Sequence, residues 1–139
     1  MIRKLKKIDI DRVSEIWLNA NLRAHNFIPK SYWKDNLKLL KKMLPESEVY
    51  VYGSDNEIQG FIGIMDNYIA GIFVSEKYQS RGIGKQLLDF IKSIKRELNL
   101  NVYEKNIRAL RFYKRENFKI KSKKIDEATG ENEYLLEWK

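Results

Sequence analysis

The segment Val74–Lys85 constrains this 139-residue chain more than any other. It reads Val74-Ser75-Glu76-Lys77-Tyr78-Gln79-Ser80-Arg81-Gly82-Ile83-Gly84-Lys85. An apolar, β-rich run ends at Val74, a polar loop with two glycines follows, and an amphipathic helical pattern begins at Gly82. The first N–H groups of such a helix have no intrahelical partner, and its dipole makes that end positive. Glycines there let an anion reach the backbone. Two common phosphate loops do not fit. A P-loop needs glycine at 79 and Ser or Thr at 86, where this chain has Gln79 and Gln86. A dinucleotide fingerprint needs glycine at 87, where it has Leu87. What remains is Gln79-x-x-Gly82-x-Gly84.

Hydrophobic periodicity places this loop inside one domain. Arg3–Lys7 reads as a short strand. A helix then starts at Ile8-Asp9, with Asp9 as N-cap and an Ile8–Val13 staple. Ile10, Val13, Ile16, Trp17, Ala20 and Ala24 follow its spacing. After Pro29 a second helix spans Ser31–Met43, with Trp33, Leu37, Leu40 and Leu44 on one side, and Pro45 ends it. The period then shortens to two. Strands are predicted at Glu48–Gly53, Ile58–Met65 and Tyr68–Val74, joined by turns at Ser54-Asp55-Asn56 and Asp66-Asn67. Gly71 inside the third marks a bulge or a close approach to the backbone. A helix over Gly82–Leu98 buries Ile83, Leu87, Leu88, Phe90, Ile91 and Ile94. Leu100–Tyr103 is a strand, and Asn106 caps a helix over Ile107–Asn117. Strands Phe118–Ile125 and Glu133–Trp138 flank a turn at Asp126–Gly130. No linker, repeat or low-complexity tract interrupts residues 1–139. The expectation is a single α/β (α+β) domain in the order β-α-α-β-β-β-α-β-α-β-β: four helices on a twisted, mostly antiparallel sheet of about seven strands.

Composition excludes several chemistries. The chain has no cysteine and one histidine, His25. Disulfides, thiolate catalysis, Cys-based zinc sites and any two-His metal motif are therefore ruled out. The longest apolar runs, such as Ile69–Val74, are too short to span a membrane. Met1–Lys7 is basic but has no apolar run behind it, so it does not read as a signal peptide, and a cytoplasmic location is expected. The formal net charge is +8. Residues 105–124 hold nine of the 27 basic residues and one acid, Glu116, leaving 18 of each sign elsewhere. So concentrated a positive field suits nucleic acid, a phosphate-rich cofactor or an acidic surface, or is a solvated face; charge alone does not choose.

Gln79-x-x-Gly82-x-Gly84 resembles the pyrophosphate-binding loop of the GNAT superfamily of acetyl-CoA-dependent N-acetyltransferases. A second block, Asn106-Ile107-Arg108-Ala109-Leu110-Arg111-Phe112-Tyr113 followed by Lys114 to Phe118, resembles the family's N-x-x-A-x-x-F-Y-x-x-x-G-F signature. Asn117 replaces the glycine and still tolerates a left-handed C-cap. The resemblance covers essentially the whole chain, and the stretch after the first helix resembles a branch of small bacterial members with a His-x-Phe element there. It implies that Tyr68–Val74 and Leu100–Tyr103 run parallel and splay apart, with acetyl-CoA between them. Backbone groups of Ile72, Phe73 and Val74 would pair with the pantetheine amides. N–H groups of Gln79, Ser80, Arg81, Gly82, Ile83, Gly84 and Lys85 would hold the pyrophosphate, with Arg81 and Lys85 adding charge. Asn106 would contact the cofactor and Tyr113 would sit beside its sulfur. A phenol with an ordinary pKa near ~10 can protonate a departing thiolate, and direct attack by an amine suits a chain without cysteine. The fourth strand carries no acid, so Asp66, Glu104 or a water held by backbone carbonyls remain alternatives for the base. The acceptor pocket would form around the first two helices, with His25, Phe27, Tyr32 and Trp33 as candidate lining beside Trp17. Aromatic walls suit a cation or an apolar side chain; ordinary core packing is the competing reading for each.

The expected activity is therefore acetyl transfer from acetyl-CoA to a primary amine: a metabolite, an antibiotic, a peptide N-terminus or a lysine. The protein would be a monomer or homodimer, without metal, nucleic acid or membrane. Two other readings stand beside it. One is a non-catalytic acyl-CoA-binding sensor on the same fold. The other is a nucleic-acid-binding module using residues 105–124, although no helix-turn-helix or RNA-binding aromatic motif accompanies them.

Overall fold

Leu98, Leu100 and Val102 alternate with Asn99, Asn101 and Tyr103, and this period of two sorts the sheet into an apolar face and a mixed one. The computed structural model describes residues 1–54 and 56–139. Its strands are β1 (Ile2–Lys4), β2 (Glu48–Ser54), β3 (Glu57–Met65), β4 (Tyr68–Val74), β5 (Leu98–Tyr103), β6 (Lys119–Ile125) and β7 (Asn132–Trp138). Its helices are α1 (Ile10–Ala24), α2 (Lys30–Met43), α3 (Ile83–Lys92) and α4 (Ile107–Arg115). Short 3-10 turns lie at Lys7–Asp9, Leu44–Glu46 and Glu76–Tyr78. The strands form one sheet in the order β1-β2-β3-β4-β5-β7-β6. Neighbours are antiparallel except β4 and β5. This is the predicted element order; Asp55 of the predicted turn lies outside the described residues.

Helices cover both faces of the sheet. On one side Leu87, Leu88 and Ile91 of α3 and Tyr113 of α4 pack on Ile62, Ile64, Ile69, Leu98, Leu100 and Leu136. On the other, Val13 and Ile16 of α1, with Leu44, pack on Val49, Val51, Ile58 and Phe61. Burying such side chains contributes about 1.5–3 kcal/mol each.

Besides shifts of one to three residues at other element ends, three features differ from the sequence reading. The α1 staple does not form: Ile8 is 85% exposed, and Asp9 turns inward to Arg3 instead of capping. Its carboxylate accepts from Arg3 Nη1 at 2.7 Å, from Arg3 Nη2 at 3.1 Å and from the Lys6 N–H at 2.7 Å. A paired buried carboxylate satisfies more donors there than a cap would. The third helix ends at Lys92, so Ile94 is 53% exposed rather than part of the buried stripe. The chain freed by this early stop starts β5 at Leu98, two residues ahead of the predicted start.

The parallel junction is where the sheet opens. Only Tyr68 and Asn99 pair in register between β4 and β5, beside an Asn99 N–H to Asn67 C=O bond of 2.9 Å. Beyond that point β4 continues on β3 and β5 continues on β7. A bulge helps: Gly63 pairs with Gly71 and Ile64 with Ile69, leaving Ala70 extra on β4. At the other end, β6 is an edge strand with every residue exposed. Its four lysines and a register shift between Ile120 and Ser122 discourage edge-to-edge pairing.

Candidate active site at the strand gap

Hydrogen-bond parity decides which β4 groups face the opening. The Ser75 N–H donates to Gln59 C=O at 2.8 Å, which makes Gly60–Val74 a non-hydrogen-bonded pair and Phe61–Phe73 a bonded one. The main-chain groups of Phe73 therefore belong to the β3 ladder, contrary to the expectation that they face a ligand. Those of Ile72 and Val74 point to the β5 side, where β5 has departed. Gln79 Nε2 donates to Val74 C=O at 3.3 Å, closing the top of this edge. The Phe73 ring packs on Phe61 and lies over Gly71, so a Cβ at Gly71 would collide with it.

The loop after β4 ends at a left-handed turn, with Ser80 at φ 64° and Gly82 at φ 79°. No atom lies within 4 Å of where a Gly82 Cβ would stand. The first intrahelical bond of α3 is Gln86 N–H to Gly82 C=O at 3.0 Å, leaving the N–H groups of Ile83, Gly84 and Lys85 as the helix's orphan donors. The Gln79 N–H is not among them; it donates to Glu76 C=O at 3.3 Å. The Ile83 side chain is buried in the core, so only its backbone serves the loop. Lys85 is ion-paired with Glu116 at 3.0 Å and Asp89 at 3.3 Å, and Arg81 lies over the Tyr78 ring. Arg108, counted in the sequence only as part of the basic segment, reaches the loop from α4. It donates to Gln79 Oε1 at 3.0 Å and Ser80 Oγ at 3.4 Å. An open strand edge leading to a glycine-rich helix N-terminus fits an extended, amide-bearing ligand that ends in a diphosphate.

Helix α4 brings Asn106 and Tyr113 to the same region. Asn106 Oδ1 caps the helix by accepting the Ala109 N–H at 3.2 Å, so its Nδ2 is the group facing His25 Nε2 at 3.0 Å. That nitrogen must accept, which leaves the ring proton on Nδ1, donated to Asn21 Oδ1 at 2.9 Å. Asn21 Nδ2 in turn donates to Trp17 C=O at 2.9 Å. Both nitrogens of His25 are thus occupied by protein, and burial lowers its pKa to about 4. Tyr113 is buried beside Phe112 and Phe118. Burial first, and the neighbouring Tyr68 phenol second, push its hydroxyl well above the ordinary range. It stays protonated at any working pH.

Tyr68 and Asn101 join the two strands where the gap begins. Asn101 Nδ2 donates to Tyr68 Oη at 2.9 Å, bridging β5 to β4 just past their last paired residues. Asn101 Oδ1 is buried with no hydrogen-bond partner among the described residues. Neither residue stood out in the sequence. The alternation of β5 marks Asn101 as facing away from the core, but only the topology reveals that it faces an opening.

The acceptor candidates do come together. His25 stacks on buried Trp33 at 5.3 Å and meets the edges of Phe27 at 5.7 Å and Tyr103 at 5.0 Å; Tyr32 packs against Trp33 at 4.9 Å. Acids border this aromatic group. Tyr103 Oη donates to Asp126 at 2.8 Å, and burial raises the Glu133 carboxyl, with Asp126 adding to the effect. The charges of Asp126 and Glu133 also raise the Tyr32 phenol, after burial. Of the alternatives for a base, Glu104 is held by Lys123 at 2.7 Å and Tyr134 at 2.9 Å, and Asp66 is an exposed hairpin residue at φ 55°. Much of the basic segment is also neutralised locally: Lys105, Lys121, Lys123 and Lys124 reach Glu131, Glu137, Glu104 and Glu133. No cluster of metal-ligating residues and no helix long and apolar enough to cross a membrane occurs among the described residues.

Known proteins match this architecture. The family model described as "Acetyltransferase (GNAT) domain" matches residues 45–120. The peptidyl-lysine N-acetyltransferase YiaC of Escherichia coli is 31% identical over 140 aligned residues, covering 99% of this chain and 96% of the relative. The solution structure of apo-form YjaB from Escherichia coli superimposes with a TM-score of 0.88 at 23% identity, over 99% of this chain and 96% of that one. A PaiA N-acetyltransferase from Thermoplasma acidophilum, solved in complex with coenzyme A, gives a TM-score of 0.84 at 22% identity, over 100% and 98% of the two chains. With its opened sheet, its glycine loop and a relative matched from end to end, the chain belongs to the GNAT acetyltransferase family.

Proposed function

We propose that this protein transfers the acetyl group of acetyl-CoA to the side-chain amine of a lysine in a peptide or protein. The observation that carries the reading is the β4/β5 gap: one registered pair, then a β4 edge open at Ile72 and at the Val74 N–H, leading to the orphan N–H groups of α3. The lysine acceptor is supported by the end-to-end match to a protein named as a peptidyl-lysine acetyltransferase. It is supported also by the rim of Phe27, Tyr32 and Tyr103 beside Asp126 and Glu133. Aromatic faces and carboxylates together suit an aliphatic stem ending in an ammonium.

Each residue has a task in this reading. Main-chain groups of Ile72 and Val74 would hold the amides of the cofactor arm as a short added strand. The N–H groups of Ile83, Gly84 and Lys85 would hold its diphosphate, on a loop braced by Arg108. When bound, the thioester supplies an activated acetyl carbon and a thiolate leaving group. Tyr113 would give its proton to the departing sulfur and regain the one that the acylated nitrogen sheds, so the phenol ends neutral as it began. Loss of water between the two strands would disfavour an ammonium, lower the pKa of an entering lysine from its ordinary ~10.4 and favour the nucleophilic neutral amine.

The test is incubation of the purified protein with acetyl-CoA and an N-terminally blocked peptide bearing one lysine, with the acetyl position read by mass spectrometry. The reading expects acetyl-lysine and free thiol in equal amounts, slowed roughly 10²-fold in Tyr113→Phe. Acetyl-CoA binding without transfer to any lysine would instead leave a non-catalytic binder.

A further inference from the structure

We propose that Asn101 Oδ1 is the hydrogen-bond acceptor that receives an N–H of the attacking amine in the β4/β5 gap, an assignment that rests on the amine-acetylating reading above. Four observations converge on it. Asn101 lies on β5 two residues past Asn99, the last residue paired with β4, so it sits where the strands have parted. Register with Leu135 and shared parity with Tyr103 put it on the sheet face that also carries the aromatic rim. Its side-chain amide is tied to Tyr68 Oη at 2.9 Å, with Nδ2 as the donor. Its Oδ1 is buried and has no partner among the described residues. A buried acceptor without a donor costs about 1–3 kcal/mol, so a ligand N–H that reaches Asn101 Oδ1 would recover that cost. The donors that enter this gap in the proposed reaction are cofactor amides, which the β4 edge takes, and the acceptor amine.

The chemistry of an amide fits the task. An amine that donates one N–H to a fixed neutral oxygen keeps its lone pair free and aimed. A carboxylate at the same place would stabilise the ammonium over the neutral amine. With no acid on β4, the amine would be positioned there by an uncharged acceptor. Asn101 is a positioning residue here, since it takes no proton.

The experiment measures binding separately from turnover. Calorimetry gives the affinity of wild type, Asn101→Leu and Asn101→Asp for acetyl-CoA, and then the affinity of each CoA-loaded protein for a blocked single-lysine peptide. Asn101→Leu should keep acetyl-CoA affinity within about twofold and lose peptide affinity by roughly tenfold, the size of one buried hydrogen bond. Asn101→Asp, which keeps acceptor oxygens and stays polar if the leucine variant folds poorly, should hold the peptide at least as tightly as wild type. The same aspartate should shift the rate profile to higher pH by stabilising the ammonium. Unchanged peptide affinity in Asn101→Leu overturns the assignment, as does equal loss of acetyl-CoA affinity. Loss of peptide binding in Asn101→Asp overturns it too, because it would make the amide a donor to the ligand. Failure of the wild-type protein to acetylate any amine overturns the proposed function itself, and this assignment with it.

Discussion

Two glycines two residues apart should respond to alanine with opposite signs. A Cβ at Gly84 would lie 3.7 Å from Phe112 Cζ and 3.8 Å from Ile72 Cγ2, ordinary contact distances, and Gly84 is already helical. Gly84→Ala therefore stabilises the free protein by about 0.5–1 kcal/mol of helix propensity. That raises Tm by roughly 2–4 °C for a domain of this size. The added methyl projects toward Ile72, where a ligand passes from the β4 edge to the start of α3. Crowding of this kind costs about 1–3 kcal/mol, so acetyl-CoA affinity should fall about tenfold or more. Gly82 gives the reverse case for stability: nothing lies near its Cβ, but φ of 79° strains any other residue by about 1–2 kcal/mol. Gly82→Ala should lower Tm by a similar few degrees. Thermal melts of the free proteins and calorimetric titration with acetyl-CoA read the two effects independently. A stabilised Gly84→Ala protein with unchanged affinity would refute the route proposed for the ligand.

Four further outcomes follow from the hydrogen-bond networks. His25 has a folded pKa lowered to about 4 against an ordinary 6.5, so its neutral form is favoured by folding. The stability it contributes is full above pH 6.5 and is lost as pH falls toward 4, about 2 kcal/mol by pH 5, and His25→Gln should flatten that slope in denaturant melts. Because it is the chain's one histidine, nitrogen NMR should also show a single imidazole, protonated on Nδ1. Asp9→Asn should destabilise by about 2 kcal/mol at pH 7; since Arg3 lowers the Asp9 pKa, the difference should shrink as pH falls below the ordinary carboxylate value of about 3.8. Arg108→Gln should weaken acetyl-CoA binding several-fold by loosening Gln79 and Ser80, and most of that loss should persist at 0.5 M salt, where a purely Coulombic contact would be screened.

How much of this was legible in the sequence depended on how local each signal was. Element types and order follow from hydrophobic period, and the glycine loop from backbone chemistry alone. Boundaries slipped where a side chain had a better partner at a distance. Asp9 reads as a cap until Arg3 is seen beside it, and Ile94 reads as part of a buried stripe until the helix stops at Lys92. Phe73 and Gln79 were expected among the ligand-facing backbone groups. Strand parity assigns the first to β3, and a local turn occupies the N–H of the second. Lys85 looked like a free cation, but Glu116, 31 residues later, pairs with it. Asn101 and Tyr68 carried no sequence signal, because their importance comes from strands that meet only once and then part.

The most direct test of the account is a crystal structure of the protein with coenzyme A. The pantetheine arm is expected between β4 and β5, its amides bonded to the main chain of Ile72 and Val74, the diphosphate at the N–H groups of Ile83 to Lys85, and the sulfur beside Tyr113. Coenzyme A bound elsewhere, with the β4 edge still bare, would contradict it.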